Sequence, residues 1–195
     1  MMLVEEGKVQ LDAPLQNYIP EYTYSSQVTI RQLLNMTSGI PDMINEVIAE
    51  EIADSLKHLS KKDAIIYENR ELSRPFSLHE VLELVNGREL NFQPGEKIRY
   101  SNTNYSFLGS IVERLSGQTL AAFMEEHIFE PLGMKDTSAN PEDATCPGYE
   151  RTDEIIYLGY GRDRSGDGCI VSTTHDLCLW LNAVLKKKLL SQDSW

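Results

Sequence analysis

Paired signals for helix starts and helix stops constrain most strongly what this chain can fold into. Two capping boxes, Thr29–Gln32 and Ser77–Glu80, each stand directly before apolar residues at helical spacing. A longer amphipathic helix is predicted from about residue 103 to 115, and Gly117 follows at the position where a helix stops. Strand-like sequence is confined to a few residues, so the pattern predicts a mainly α chain.

The length and the spacing of these signals predict one domain. At 195 residues the chain is long enough to bury a core of its own. We expect residues 1–195 to form a single helical lobe, with residues 42–90 as a charged helical insertion. Residues 138–168 are rich in Pro, Gly, Asp and Thr, and only Ile155–Leu158 is strand-like within them. We therefore predict a long loop there, with at most a short hairpin.

Composition excludes several classes of function. The net charge is −12 and the pI is near 4.8, whereas binding to nucleic acid requires clustered Lys and Arg. No apolar run approaches the roughly 18 residues of a membrane-spanning helix. The three cysteines are too few and too irregular for a disulfide framework. A zinc site is the alternative for these thiols, and its ligands would be Cys146, Cys169, His175 and Cys178.

The stretch around Tyr100 and Asn102 is the best candidate for chemistry. Residues two apart point the same way in an extended segment, and the Pro94–Gly95 turn favours such a segment here. A phenol and a carboxamide at one point suit acyl transfer, because Tyr can exchange a proton and Asn can orient a substrate amide. The structural alternative is that Asn102 caps the following helix and Tyr100 packs its ring.

Five blocks of sequence, in order along nearly the whole chain, resemble one enzyme family. They are Leu3–Leu15, Leu33–Ile40, Phe92–Asn102, Glu130–Thr137 and Gly166–Thr173. Together they resemble the serine beta-lactamase-related hydrolases, which include class C beta-lactamases and low-molecular-weight penicillin-binding proteins of the D-alanyl-D-alanine carboxypeptidase type.

This resemblance implies three catalytic motifs, of which the chain contains one. Tyr100 and Asn102 match the Tyr-x-Asn motif, in which Tyr serves as base and proton relay. No Ser in the sequence has Lys three residues later, and no Lys-Thr/Ser-Gly occurs. In relatives, Ser-x-x-Lys lies on the helix that ends at the LVEEGK block and the third motif follows much later, so we expect both beyond Met1 and Trp195. The resemblance thus implies the helical lobe of such an enzyme, with most of its antiparallel sheet absent.

For function, the resemblance implies hydrolysis through an acyl-enzyme, with no cofactor. The substrate of the intact parent would be a small molecule or peptidoglycan-like: a beta-lactam, a D-Ala peptide or an ester. Without Ser and Lys, Tyr100 has neither a nucleophile to activate nor a cation to lower its pKa, so we predict that the chain alone is inactive. The rival hypothesis is a non-catalytic helical module for binding or structure.

Two further expectations concern the surroundings of the lobe. An element that packs on a sheet exposes apolar surface when that sheet is missing, so we predict self-association. Met36 stands where relatives usually have His, which leaves open whether that position supports the site. The sequence does not choose among the bacterial cell envelope, secretion and the cytoplasm.

Overall fold

The computed structural model describes residues 1–159 and 166–194, in which helices surround one long central helix. The α-helices in this part are α1 (Met2–Glu5), α2 (Ile30–Leu34), α3 (Ala49–Leu56), α4 (Lys61–Ser73), α5 (Leu78–Val85), α6 (Asn102–Ser116), α7 (Leu120–Met124), α8 (Glu130–Leu132) and α9 (Thr174–Leu185). π-Helical turns cover Met43–Ile48 and Glu125–Phe129, and 3-10 turns cover Leu15–Asn17, Pro141–Asp143 and Gln192–Ser194. None of the described helices is long and apolar enough to cross a membrane.

The helix boundaries follow the capping chemistry in the sequence. Thr29 and Ser77 each form a complete capping box, in which the cap hydroxyl and the Gln or Glu three residues later both accept backbone N–H groups. Gly117 adopts the left-handed conformation directly after α6. These three predicted boundaries are confirmed.

The main core gathers around α6. Phe107 and Ile111 of this helix are buried against apolar residues of α2 and α5 and of the irregular segment before α2. The ring of Phe107 lies 5.2 Å from that of Tyr22, centroid to centroid. Because α6 is packed in this core, the position of its first turn, and of the residues directly before it, is well defined.

The prediction of a mainly α fold is wrong. Helices contain only about half of the residues that the structure describes. The irregular segment between α1 and α2 contributes fully buried side chains to the core, among them Leu15, Ile19 and Val28. Helical periodicity detects only residues that are buried from a helix, so it overlooks a core that is partly built from turns.

A two-stranded antiparallel hairpin, β1 (Gly148–Arg151) and β2 (Ile155–Gly159), lies within the predicted loop 138–168. Its Ile156 side chain is buried. The hairpin packs on α4, whose Asn69 amide donates to the Leu158 carbonyl at 3.1 Å. Residues 160–165 and Trp195 lie outside the described residues. That residues 42–90 are an insertion in a single lobe stays a prediction.

Gly39 permits a close crossing of two loops beside the start of α6. Its φ is +76°, and its carbonyl accepts the Asn91 N–H at 2.8 Å. A Cβ at this position would lie 2.2 Å from the Phe92 carbonyl oxygen, well inside the closest real contact. Glycine is therefore required here both by the backbone conformation and by the space.

Gly39→Ala should destabilise the chain far more than Gly7→Ala. Gly7 has a similar φ of +69° but nothing within 4 Å of the added Cβ, so its substitution reports the backbone cost alone. We expect a loss in the free energy of unfolding of about 1–2 kcal/mol for Gly7→Ala and about 3 kcal/mol or more for Gly39→Ala. Urea unfolding measures both; equal losses would contradict the close crossing.

Candidate active site

The side chains of Tyr100 and Asn102 are in contact at the N-terminus of α6. Ser101 between them is extended, with φ −150° and ψ 117°, so the two side chains point to the same side. The Tyr100 hydroxyl donates to Asn102 Oδ1 at 2.9 Å. Tyr100 is 59% exposed, and Asn102 makes no capping hydrogen bond to α6. The arrangement therefore differs from a packed ring beside a helix cap.

Asp42 lies beneath this pair and supports it. Its carboxylate is buried, and Asn102 Nδ2 lies 3.0 Å from each of its two oxygens. The same carboxylate accepts the backbone N–H of Ile44 at 2.9 Å and of Asn45 at 3.2 Å, and the Asn45 side-chain amide at 2.7 Å. Asp42 thus caps the turn Met43–Ile48 and anchors Asn102 at once.

Buried polar bonds join the same loop to the first turn of α6. The Ser38 hydroxyl donates to Asn104 Oδ1 at 2.7 Å. The Thr103 hydroxyl donates to the Pro41 carbonyl at 2.7 Å and accepts the Met43 N–H at 2.9 Å. Each group has a partner despite its burial, so the loop and the helix start are fixed relative to each other.

Met36 adopts a left-handed conformation at the edge of the site. Its φ is +62°, which is uncommon for a residue with a side chain. Its carbonyl accepts the Arg99 N–H at 2.9 Å, and its sulfur lies 3.4 Å from the Asn104 amide nitrogen. Thioether sulfur is a weak acceptor, so Met36 contributes packing and only a weak hydrogen bond to the support of Asn104.

Burial and the charges around Tyr100 both favour the protonated form of its hydroxyl. Partial burial raises the pKa of Tyr100 above its usual value, and the negative charges of Asp42 and Asp167 and the nearby Tyr105 raise it further. Asp167 accepts a hydrogen bond from Ser106 at 3.0 Å. The neighbouring Arg99 is paired with Glu46 at 2.8 Å. In this state Tyr100 is a hydrogen-bond donor.

Asp42 and Ser38 are site residues that sequence reasoning missed. Asp42 is the first residue of the charged segment predicted as an insertion, which concealed its role. A signal was present, since Asp before Met43–Ile44 matches the preference for Asp at a helix cap. Nothing in the sequence links it to Asn102, which lies 60 residues further along the chain.

The thiols do not assemble into a metal site in the part of the chain that the structure describes. Cys146 and Cys178 are exposed, whereas Cys169 is buried. Among the described residues, no three His, Cys, Asp or Glu side chains are close enough together to hold a metal ion.

An apolar groove of about 640 Å³ lies beside the site. Tyr105 and Asp167, which both raise the pKa of Tyr100, line this groove. Tyr100 and Asn102 themselves do not line it. The helices α1, α6 and α7 and residues 166–170 contribute to the wall, together with Trp180 of α9. Tyr100 is therefore exposed, and Asn102 partly exposed, to solvent outside the apolar groove.

Comparisons with known proteins agree on one family. The sequence profile described as Beta-lactamase matches residues 1–195. Penicillin-binding protein 4* of Bacillus subtilis (strain 168) is 30% identical over an alignment that includes all of this chain and 43% of that protein. The chain thus spans less than half the length of this relative.

Solved structures extend the agreement to the fold. D-amino acid amidase from Ochrobactrum anthropi SV3, complexed with L-phenylalanine amide, is 26% identical with a TM-score of 0.74; the match covers 98% of this chain and 52% of that chain. A penicillin-binding protein from Bacillus halodurans is 27% identical with a TM-score of 0.73, over 98% of this chain and 57% of that chain.

These matches complete the correction of the fold class. Structures of the beta-lactamase fold cover 98% of this chain, irregular segments included, so a mainly α lobe is not the right description. With its whole length matched by the family profile, and with a hydrolase and a penicillin-binding protein as structural relatives, the chain belongs to the beta-lactamase family.

Proposed function

We propose that the chain carries the Tyr-x-Asn part of a serine hydrolase active site, with Tyr100 as general base and proton relay and Asn102 as substrate-positioning residue. The observation that carries the proposal is the 2.9 Å contact between an exposed Tyr100 hydroxyl and an Asn102 amide that is anchored on buried Asp42. Such a rigidly supported pair, open on one side, is what proton transfer to a bound substrate requires.

The reaction would be hydrolysis through an acyl-enzyme in the intact protein. A Ser oxygen would attack the carbonyl carbon while the Tyr100 phenolate takes its proton; the bond from that carbon to the leaving group then breaks as Tyr100 passes the proton to the leaving group. Water would next hydrolyse the resulting ester and regenerate the Ser hydroxyl. The substrate class is a beta-lactam, a D-Ala peptide, an amide or an ester. Support comes from relatives that are a penicillin-binding protein and an amidase complexed with an amino acid amide.

Tyr100 needs a cation before it can act as a base. Its pKa lies above the usual value because partial burial and the charges of Asp42 and Asp167 favour the neutral phenol. A Lys ammonium beside the hydroxyl would reverse this, but none of the 195 residues forms a Ser-x-x-Lys motif. We therefore propose that the chain alone lacks both the nucleophile and the means to activate it.

The isolated chain should neither hydrolyse nor retain a penicillin. We expect no turnover of nitrocefin or of a D-alanyl ester above the uncatalysed rate, and no labelling by a fluorescent penicillin, because labelling needs a nucleophilic Ser. An intact penicillin-binding protein serves as the positive control. Turnover that is abolished by Tyr100→Phe would overturn the prediction of inactivity and would show that the chain has a nucleophile outside a Ser-x-x-Lys motif.

The encoding reading frame distinguishes a hydrolase from a non-catalytic module. If Ser-x-x-Lys is encoded within about one helix length before Met1, the hydrolase proposal is supported; a frame without it on that side contradicts the proposal.

An apolar face on α9 should make the chain self-associate. Leu181 and Leu185 are 56% and 72% exposed, and Leu177 and Trp180 on the same helix are also exposed. Light scattering after size exclusion should show a mass that rises with concentration, because contiguous apolar surface is removed from water on association. Leu181→Ser with Leu185→Ser should shift the mass toward the monomer and reduce the binding of an apolar dye.

A matched control is Ile66→Ser, which removes an apolar side chain of 43% exposure from α4. It should leave the mass of the assembly unchanged. A sharp monomer peak of the unaltered chain at all concentrations, without dye binding, would contradict self-association.

A further inference from the structure

Asp42 is a buried carboxylate without a cationic partner among the described residues. Only 2% of the residue is exposed, and no Lys, Arg or His of the described part forms an ion pair with it. Four N–H donor groups compensate its charge instead: two backbone amides of the following turn, the Asn45 side chain and the Asn102 side chain. A buried charge is tolerated only with such partners, so loss of any one of these four donors would be costly.

The Asn102 amide can meet this carboxylate in one orientation only. An ionised carboxylate accepts hydrogen bonds and donates none, so the amide nitrogen has to face it. Nδ2 lies 3.0 Å from both oxygens, and a flipped amide would place Oδ1 against them instead. Because the nitrogen faces Asp42, Oδ1 is turned toward the Tyr100 hydroxyl, which it meets at 2.9 Å.

Asp42 itself is fixed by the backbone rather than by Asn102. Its Oδ1 accepts the N–H groups of Ile44 and Asn45, which are the free donors at the start of the turn Met43–Ile48. The orientation is thus transmitted from a capped turn, through one carboxylate, to the amide and then to the phenol.

We propose that Asp42 is the positioning residue of the site: its carboxylate locks the Asn102 amide with its oxygen toward Tyr100, and so makes the Tyr100 hydroxyl a donor to Asn102 in the resting site. The functional meaning of the lock rests on the proposed function of the pair. The lock itself is a property of the free chain, and it is testable there without any substrate.

Two effects of Asp42 on Tyr100 have to be separated, namely its charge and its hold on the amide. Within residues 1–159 and 166–194, the groups that bond the Tyr100 hydroxyl or raise its pKa are Asp42, Asp167, Tyr105 and Asn102. Asp167 also supplies a negative charge that raises the pKa of Tyr100, but no hydrogen bond among the described residues joins it to Asn102. Asp167→Asn is therefore a control that removes charge near Tyr100 and leaves the amide locked.

Asp42→Asn tests the lock in the 195-residue chain. The new amide can donate as well as accept, so Asn102 is no longer confined to one orientation. We expect the side-chain NH₂ of Asn102, assigned by NMR as the signal that disappears in Asn102→Ala, to exchange with solvent about tenfold faster or more, because a hydrogen bond to a charged group is lost. Its chemical shift should also move, whereas Asp167→Asn should change neither.

The titration of Tyr100 gives a second readout. Tyrosinate absorbance is recorded in pairs of proteins that differ by Tyr100→Phe, so that the difference isolates Tyr100. Both Asp42→Asn and Asp167→Asn remove a negative charge and should lower the pKa of Tyr100. The decrease should be larger for Asp42→Asn, since only that variant also frees the Asn102 amide to donate to the phenolate.

A third variant guards against failure to fold. Asp42→Ser retains a good capping oxygen for the turn but no carboxylate for Asn102, and circular dichroism checks its helix content. Faster exchange of the Asn102 NH₂ in a folded Asp42→Ser or Asp42→Asn chain supports the proposal. An Asn102 NH₂ that stays protected and unshifted in both variants overturns it, whether or not the intact protein proves to be a hydrolase.

Discussion

The buried carboxylate of Asp42 is the interaction on which the rest of the site depends. A charge out of water requires donors, and here they come from two places that are far apart in the chain: the turn directly after Asp42 and the first residue of α6. Ser38 and Thr103 add buried bonds across the same contact. The loop before the turn and the start of α6 are therefore one unit, because separating them would leave a charge and several polar groups unsatisfied.

This unit determines what Tyr100 can do. Its hydroxyl has a fixed acceptor in Asn102 Oδ1. Partial burial first, and then the negative charges of Asp42 and Asp167, raise the pKa of Tyr100 and so favour the neutral phenol. A positive charge near the hydroxyl would oppose these effects and lower the pKa of Tyr100. If Tyr100 is the base that we propose, the same geometry keeps it a hydrogen-bond donor until a cation beside the hydroxyl lowers its pKa.

The sequence predicted the parts of the structure that local chemistry determines. The capping boxes at Thr29 and Ser77, the end of α6 at Gly117 and the approach of Tyr100 to Asn102 each depend on residues a few positions apart. The mainly α description was wrong because Leu15, Ile19 and Val28 are buried from turns, which leave no period in the sequence. The hydrogen bond from Asn102 to Asp42 could not be predicted from the sequence for a similar reason. Side chains 60 residues apart are brought into contact only by the packing of the whole core.

The contrast between two tyrosines argues that the exposure of Tyr100 has a use. Tyr22 is 1% exposed and packs its ring on Phe107, and its hydroxyl has no partner among the described residues. There the ring contributes the stability and the hydroxyl is tolerated. At Tyr100 the relation is reversed, since the residue is 59% exposed while its hydroxyl is directed by an amide that a buried carboxylate holds. The buried contacts beneath the pair contribute to the stability of the chain, and we propose that they also hold the exposed Tyr100 hydroxyl in place for the chemistry of the site.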